Sequence, residues 1–317
     1  MKLRYSHALC CTLLWPAIGA AQPPSFLLEW GQYPQLQGPF GIAVSATNDV
    51  YVTDQIDIGV KQFTANGGFV RRWGARGTTN GLFSGLVGVA VDAAGSVYVT
   101  DEGNHRVQKF TASGTYVSQF GNVAGSGLLG SPSYIVVDGS GNVFVTDAEN
   151  ERIMKYTSNG VFITGFGSRG LGDGQFRDAN GVCVDASGNV YVADSGNNRI
   201  EKFTNAGGFL GAWGTGGTGP GQFQGIGGLS ADSRDNVYAV DSGNNRVQVF
   251  TSTGAFLTQW GSVGSGNGEF RGPTGADLDG AGNIYVIDGA NQRVEKFGWL
   301  PTPVRTSTWG RVKRLFR

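Results

Sequence analysis

The chain has 317 residues, of which 54 are glycine, 40% are hydrophobic and 15% are charged, with 24 basic residues balancing 24 acidic ones. Apolar residues that recur this regularly exclude a disordered chain, and so much glycine suits many tight turns that need positive φ. The absence of a basic excess removes the electrostatic footprint by which proteins hold nucleic-acid backbones.

The chain opens with a predicted export leader over residues 1–21. Lys2 and Arg4 form a short basic start, Ala8 to Ala17 is mostly apolar, and small residues follow at Gly19, Ala20 and Ala21. The run is too short to span a bilayer and has the layout of a cleaved signal peptide, with Gln22 as the mature start. The expected location is therefore outside the cytoplasm: extracellular, periplasmic or at the cell surface. Cleavage removes Cys10 and Cys11 and leaves Cys183, so no internal disulfide is expected. Cys183 lies in an apolar strand pattern where other repeats carry Ala43 or Ala90, which predicts a buried small hydrophobe. Without Lys2 and Arg4 the balance is 22 basic against 24 acidic residues, and setting aside five basic residues in the last 13 leaves about −7 for the body.

Residues 22–298 are dominated by a repeat. Asp54, Asp101, Asp147, Asp194, Asp241 and Asp288 recur at gaps of 47, 46, 47, 47 and 47 residues, each closing a β-rich run such as Val97-Tyr98-Val99-Thr100. Nine residues after each Asp stands an aromatic: Phe63, Phe110, Tyr156, Phe203, Phe250 or Phe297. Thirteen residues before each Asp stands Gly41, Gly88, Tyr134, Gly181, Gly228 or Gly275, opening another apolar run. In the second unit, strands a to d are expected at about 88–92, 97–100, 106–110 and 115–120. A period of this length with four short strands predicts an all-β, six-bladed β-propeller of four-stranded antiparallel blades. The sixth unit lacks a strand d after Phe297, and Ser25 to Gly31 has the missing pattern with its aromatic-Gly end. That N-terminal strand is predicted to complete blade 6 and close the ring.

Asp101-Glu102-Gly103-Asn104-His105-Arg106-Val107-Gln108-Lys109-Phe110 resembles the core of an NHL repeat, as do Asp194 to Phe203 and Asp241 to Phe250. The resemblance runs over about residues 26–297, with blade 1 departing at Asp57 and Gly59, where Asn and Arg are usual. It implies a rigid ring whose varied loops bind.

The repeated Asp, Asn (Asn104, Asn150, Asn197, Asn244, Asn291) and Arg (Arg106, Arg152, Arg199, Arg246, Arg293) are expected to brace loops, with Asp and Asn capping the b–c turn. A ring of charged loops gripping a polymer is the alternative. Positions that vary between blades are better binding candidates. One set follows the shared Asn and includes His105, Glu151, Asn198, Asn245 and Gln292. A second precedes strand a, where Arg177, Asp178 and Asn180 form the most polar stretch. Asp277 stands in strand a where other blades have Ala, Val, Cys or Ser, and it is the candidate metal ligand, facing the channel to hold a cation or a water.

Several relatives of this fold are enzymes, and their residue requirements can be compared. Zinc lyases resembling the peptidyl-hydroxyglycine amidating lyase use several histidines, whereas this mature chain has His105 alone. Lactonase-like propellers use calcium and carboxylates, which Asp277 and Asp178 keep open as a Ca²⁺ reading. Tripartite-motif NHL proteins add a zinc module and can bind RNA, and neither zinc-spaced cysteines nor a basic body is present. The expectation is a secreted, monomeric, non-enzymatic binding or scaffold module for a protein, peptide or glycan. The alternative is a Ca- or Zn-assisted hydrolase or lyase at the central channel. No catalytic residue and no cofactor is predicted.

Residues 299–317 form a Pro-containing basic tail. Trp309, Arg311, Lys313, Arg314, Phe316 and Arg317 suit an anionic surface or a sorting partner, if Trp309 to Arg317 forms a helix. A frayed, solvated tail is the alternative.

Overall fold

The computed structural model describes residues 22–122 and 127–299, so the leader, the proposed cleavage point and the tail beyond Trp299 lie outside the described residues. Six four-stranded antiparallel sheets are arranged as blades, and no α-helix occurs among the described residues. The innermost strands a are Pro39–Val44, Leu86–Val91, Pro132–Val137, Ala179–Val184, Ile226–Ala231 and Pro273–Leu278. In blade 2, strands b, c and d are Val97–Asp101, Arg106–Phe110 and Tyr116–Phe120. The boundaries expected from the pattern shift by one or two residues, mainly because strand a begins before its glycine.

The b–c connection is a tight 3₁₀ turn in blades 2 to 5, closed by a residue in the left-handed region: His105, Glu151, Asn198 or Asn245. The a–b and c–d turns lie at one end of each blade and the b–c and d–a loops at the other, as antiparallel order requires.

Strand alternation sends side chains to both faces of each blade, and the core lies between blades. The repeated aromatics Phe63, Phe110, Phe203 and Phe250 are buried there. Strand d ends in an aromatic that covers a turn glycine of the next blade. A Cβ on Gly114 would stand 2.6 Å from the Trp73 ring, and one on Gly67 would stand 2.6 Å from Trp30. Both glycines also have positive φ, so the column admits glycine for two reasons.

The strand Ser25–Trp30 pairs antiparallel with Arg293–Gly298 and supplies the fourth strand of blade 6. Trp30 then reaches across the seam, 5.9 Å from the Tyr285 ring of blade 6 and 6.4 Å from the Phe63 ring of blade 1. The first and last parts of the chain thus share one sheet, as the pattern predicted.

Candidate functional site

The repeated Asp column is fully buried. Asp241 accepts hydrogen bonds from Gln224 N (2.9 Å), Asn244 Nδ2 (2.8 Å), Arg246 Nε (2.7 Å) and Gln248 Nε2 (3.1 Å). Arg246 also donates to the carbonyls of Thr218, Gly219 and Gln222 in the d–a loop. The backbone, Asn and Arg bonds recur around Asp101, Asp194 and Asp288, and Gln108 repeats the Gln248 bond at Asp101. These groups brace loops as expected, with one difference. In blades 2 to 5 the Asp makes no side-chain cap to the 3₁₀ turn, and one carboxylate oxygen instead reaches back to the d–a loop. Only Asp54 caps its b–c turn, through Ile56 N and Asp57 N.

Blade 1 lacks the Arg and restores the charge from elsewhere. Lys61 donates to Asp54 Oδ2 at 2.8 Å and to Gln35 O at 2.7 Å, while Arg72 pairs with Asp57. In blades 4 and 6 the position of Gln248 is held by Glu201 and Glu295, both fully buried. Burial outweighs the attraction of Arg199 and pushes the Glu201 carboxyl up to about 7.

The varied positions predicted to bind ligand tie neighbouring blades together. Glu151 accepts from Asp178 N and Ala179 N, each at 3.0 Å. Asn198 accepts from Gly225 N, Asn245 accepts from Gly272 N, and Gln292 donates to Gln37 O. His105 Nδ1 contacts Gly130 O. Five different side chains therefore meet the d–a loop of the next blade. Arg177 and Asp178 are exposed, and Asp178 has φ of 57°. Its carboxyl is raised by burial first and by Glu151 and Asp194 second. Asn180 Nδ2 lies 3.4 Å from Ile226 O.

The channel carries features that the repeat does not. At the level of Gly41 and Gly181 the inner strands approach so closely that a Cβ would stand 2.5 Å from Val87 O or 2.4 Å from Gly227 O. Blade 3 has Tyr134 at this level. Its hydroxyl donates to Thr274 O of the opposite blade at 2.9 Å, and its ring lies 5.8 Å from that of Phe40. Tyr134 therefore crosses the axis. Beside it the cavity measures only 40 Å³. At the a–b end the channel widens to a chamber of 240 Å³, lined by the last three residues of all six strands a.

One column of this chamber reads Ala43, Ala90, Val136, Cys183, Ser230 and Asp277 around the ring. Asp277 is among the residues that line the chamber. Its Oδ2 accepts from Val44 N at 2.8 Å and its Oδ1 from Leu278 N at 2.9 Å. Burial pushes its carboxyl up to about 6 despite those two bonds. The Cys183 thiol is buried and raised well above its ordinary range, first by desolvation and then by Asp185 and Asp277, so it is a neutral wall group. Ser230 is buried, and its Oγ has no hydrogen-bond partner among the described residues. In the sequence Tyr134 and Ser230 are visible only as departures from their columns of glycine and small apolar residues.

This ring of six blades, with its channel narrowed by Tyr134, defines a six-bladed β-propeller. Residues 83–110 and 176–203 match the NHL repeat, and residues 222–300 match a 6-bladed beta-propeller family. The chain thus carries NHL repeats within a six-bladed propeller. Among curated protein sequences none matches it. A gluconolactonase from Xanthomonas campestris is similar in structure at 17% identity and TM-score 0.64, covering 90% of this chain and 97% of its own. Virginiamycin B lyase from Staphylococcus aureus is similar at 16% identity and TM-score 0.59, covering 86% and 99%. A chain of the nidogen/laminin complex is similar at 21% identity and TM-score 0.55, covering 70% and 79%. Likenesses at these identities establish the shared fold.

Proposed function

We propose that this propeller is an exported binding module that presents its b–c and d–a loop face to a protein, peptide or glycan. The observation that carries this reading is the placement of exposed apolar side chains. Tyr33, Ile56, Leu128, Leu171 and Val263 all lie in b–c or d–a loops, and each is between 51% and 71% exposed. The braces beneath them hold those loops rigid, which lowers the entropic cost of binding. Among the described residues, Val161 at 62% and Trp299 at 41% are the large apolar side chains exposed in the loops of the opposite end, while Phe69, Val117 and Leu210 are exposed along strands d. The nidogen/laminin likeness shows that this fold occurs in a protein–protein complex.

A metal-assisted hydrolase or lyase in the channel draws support from Asp277 alone. Calcium takes six to eight oxygen ligands, whereas the side chains lining the chamber supply one carboxylate and one hydroxyl. Among the described residues no three His, Cys, Asp or Glu groups stand together to hold a metal. The donor set does not fit the ion.

Photo-cross-linking distinguishes the two faces. A photoreactive amino acid is placed at Leu171, at Val263 or at Val161, and the protein is illuminated on the producing cells. Adducts are expected from Leu171 and Val263 and not from Val161. Equal adducts from both faces, or adducts from Val161 alone, would overturn the loop-face reading.

A further inference from the structure

We propose that the chamber at the a–b end of the channel is a binding site for a small alkylammonium compound, its ammonium between Asp277 and Ser230 and its alkyl part against the aliphatic wall. This site lies at the opposite end from the loop face and is independent of that reading.

The chamber is chemically two-sided. Blades 4, 5 and 6 contribute Cys183, Ser230 and Asp277 at one level, while blades 1, 2 and 3 contribute Ala43, Ala90 and Val136. A mostly apolar cavity with a few convergent polar groups is the usual form of a small-molecule site. At 240 Å³ it falls below the roughly 300–1,000 Å³ typical of drug-sized ligands. Its occupant is therefore a compound of few carbons.

The polar groups select the head group. Asp277 spends one lone pair of each oxygen on a backbone N–H, so acceptor capacity remains. Among the described residues it receives no side-chain donor. Ser230 lines the same chamber, and its buried Oγ has no hydrogen-bond partner among the described residues, which is costly unless something bonds to it. An ammonium brings a positive charge and three donors, enough for both groups. The residues that follow strand a reinforce the sign. Asp92, Asp138, Asp185, Asp232 and Asp279 stand at the a–b turns, five of the six positions. The lysines of this end lie farther out on strand c. Lys109, Lys155, Lys202 and Lys296 are held over aromatic rings and bonded to turn carbonyls. A carboxylate ligand meets Asp277 with like charge, and a divalent metal finds too few oxygens.

The test is a titration of the folded protein at pH 8 with n-butylammonium, n-butanol, butyrate and Ca²⁺ separately, read by the methyl NMR signals of Ala43, Ala90 and Val136. n-Butylammonium is expected to saturate with a Kd of about 1 mM or below, with n-butanol roughly tenfold weaker and butyrate inert. Asp277→Asn should weaken n-butylammonium about tenfold, and Ser230→Ala should weaken it roughly threefold. Ala90→Val narrows the aliphatic side without touching either polar group, and it should also reduce binding. A melting curve for each variant separates lost binding from lost fold. Three outcomes would overturn the proposal: n-butylammonium fails to saturate the unmodified protein, it binds Asp277→Asn equally well, or Ca²⁺ alone moves the methyl signals.

Discussion

Two kinds of buried carboxylate meet the interior in opposite ways. Asp241 sits under a loop and receives a guanidinium, two side-chain amides and a backbone N–H, and its counterparts in blades 2, 3, 4 and 6 likewise receive a guanidinium, an Asn amide and at least one backbone N–H. Asp277 sits at the axis and receives two backbone N–H groups, so burial pushes it up to about 6. The first carboxylate spends its bonding capacity on the frame. The second keeps some for a ligand. A feature copied into every blade holds the ring, and a polar group that interrupts a column marks a place where the ring has something else to do.

The largest expected effect comes from removing part of the frame outright. Deleting residues 22–31 strips blade 6 of its fourth strand, leaves the edge at Arg293–Gly298 open and takes Trp30 from the seam. The deleted protein should lose its single cooperative thermal transition by circular dichroism; an unchanged melt would break the closure account.

A smaller loss is expected from one brace. Asp241→Ala leaves Arg246, itself buried, without its carboxylate, and should cost about 3–5 kcal/mol in urea unfolding. A cost below about 1 kcal/mol, the level of an exposed pair, would mean the column is not structural.

The Glu201 position gives a smaller and pH-dependent effect. Its carboxyl is raised from 4.5 to about 7, chiefly by burial, so the folded state holds the proton more tightly than the unfolded state. Its stabilising contribution is complete below the unfolded value and is lost as pH rises through about 7. Blade 5 carries Gln248 at the same position, so glutamine fits the frame. Glu201→Gln should gain about 1–2 kcal/mol over the unmodified protein at pH 8 and nothing at pH 4. A gain independent of pH would contradict the shift. The smallest effect is at the axis: Tyr134→Phe removes the bond to Thr274 O and should cost about 1 kcal/mol in the same unfolding assay.

How much of this was legible beforehand follows from what kind of signal each residue leaves. Asp spacing and the aromatic column exposed the blade count, because each blade must bury the same faces. Ser25 to Gly31 was legible as a displaced strand d because it kept the aromatic-Gly ending of that strand. The loss of Arg at Gly59 was visible, but its repair was not. Lys61 comes from a neighbouring column and Arg72 from another strand, and only the folded sheet brings both to Asp54 and Asp57. His105, Glu151, Asn198, Asn245 and Gln292 vary because side chains of different chemistry can reach the backbone of one loop. Variation there records tolerance as well as contact. Tyr134 and Ser230 stood out only as interruptions of Gly and small-residue columns. That one would cross the axis and the other face a chamber depends on closing six blades into a ring.

The most direct measurement is a pair of thermal melts at pH 8, Asp241→Asn against Asp277→Asn. The account predicts that Asp241→Asn lowers the melting temperature markedly, because Arg246 loses its counter-charge. It predicts that Asp277→Asn changes it far less, because the amide gives up one of the two backbone hydrogen bonds but also removes the cost of a buried charge without a counter-ion. Equal destabilisation by the two substitutions would contradict the division between frame and axis.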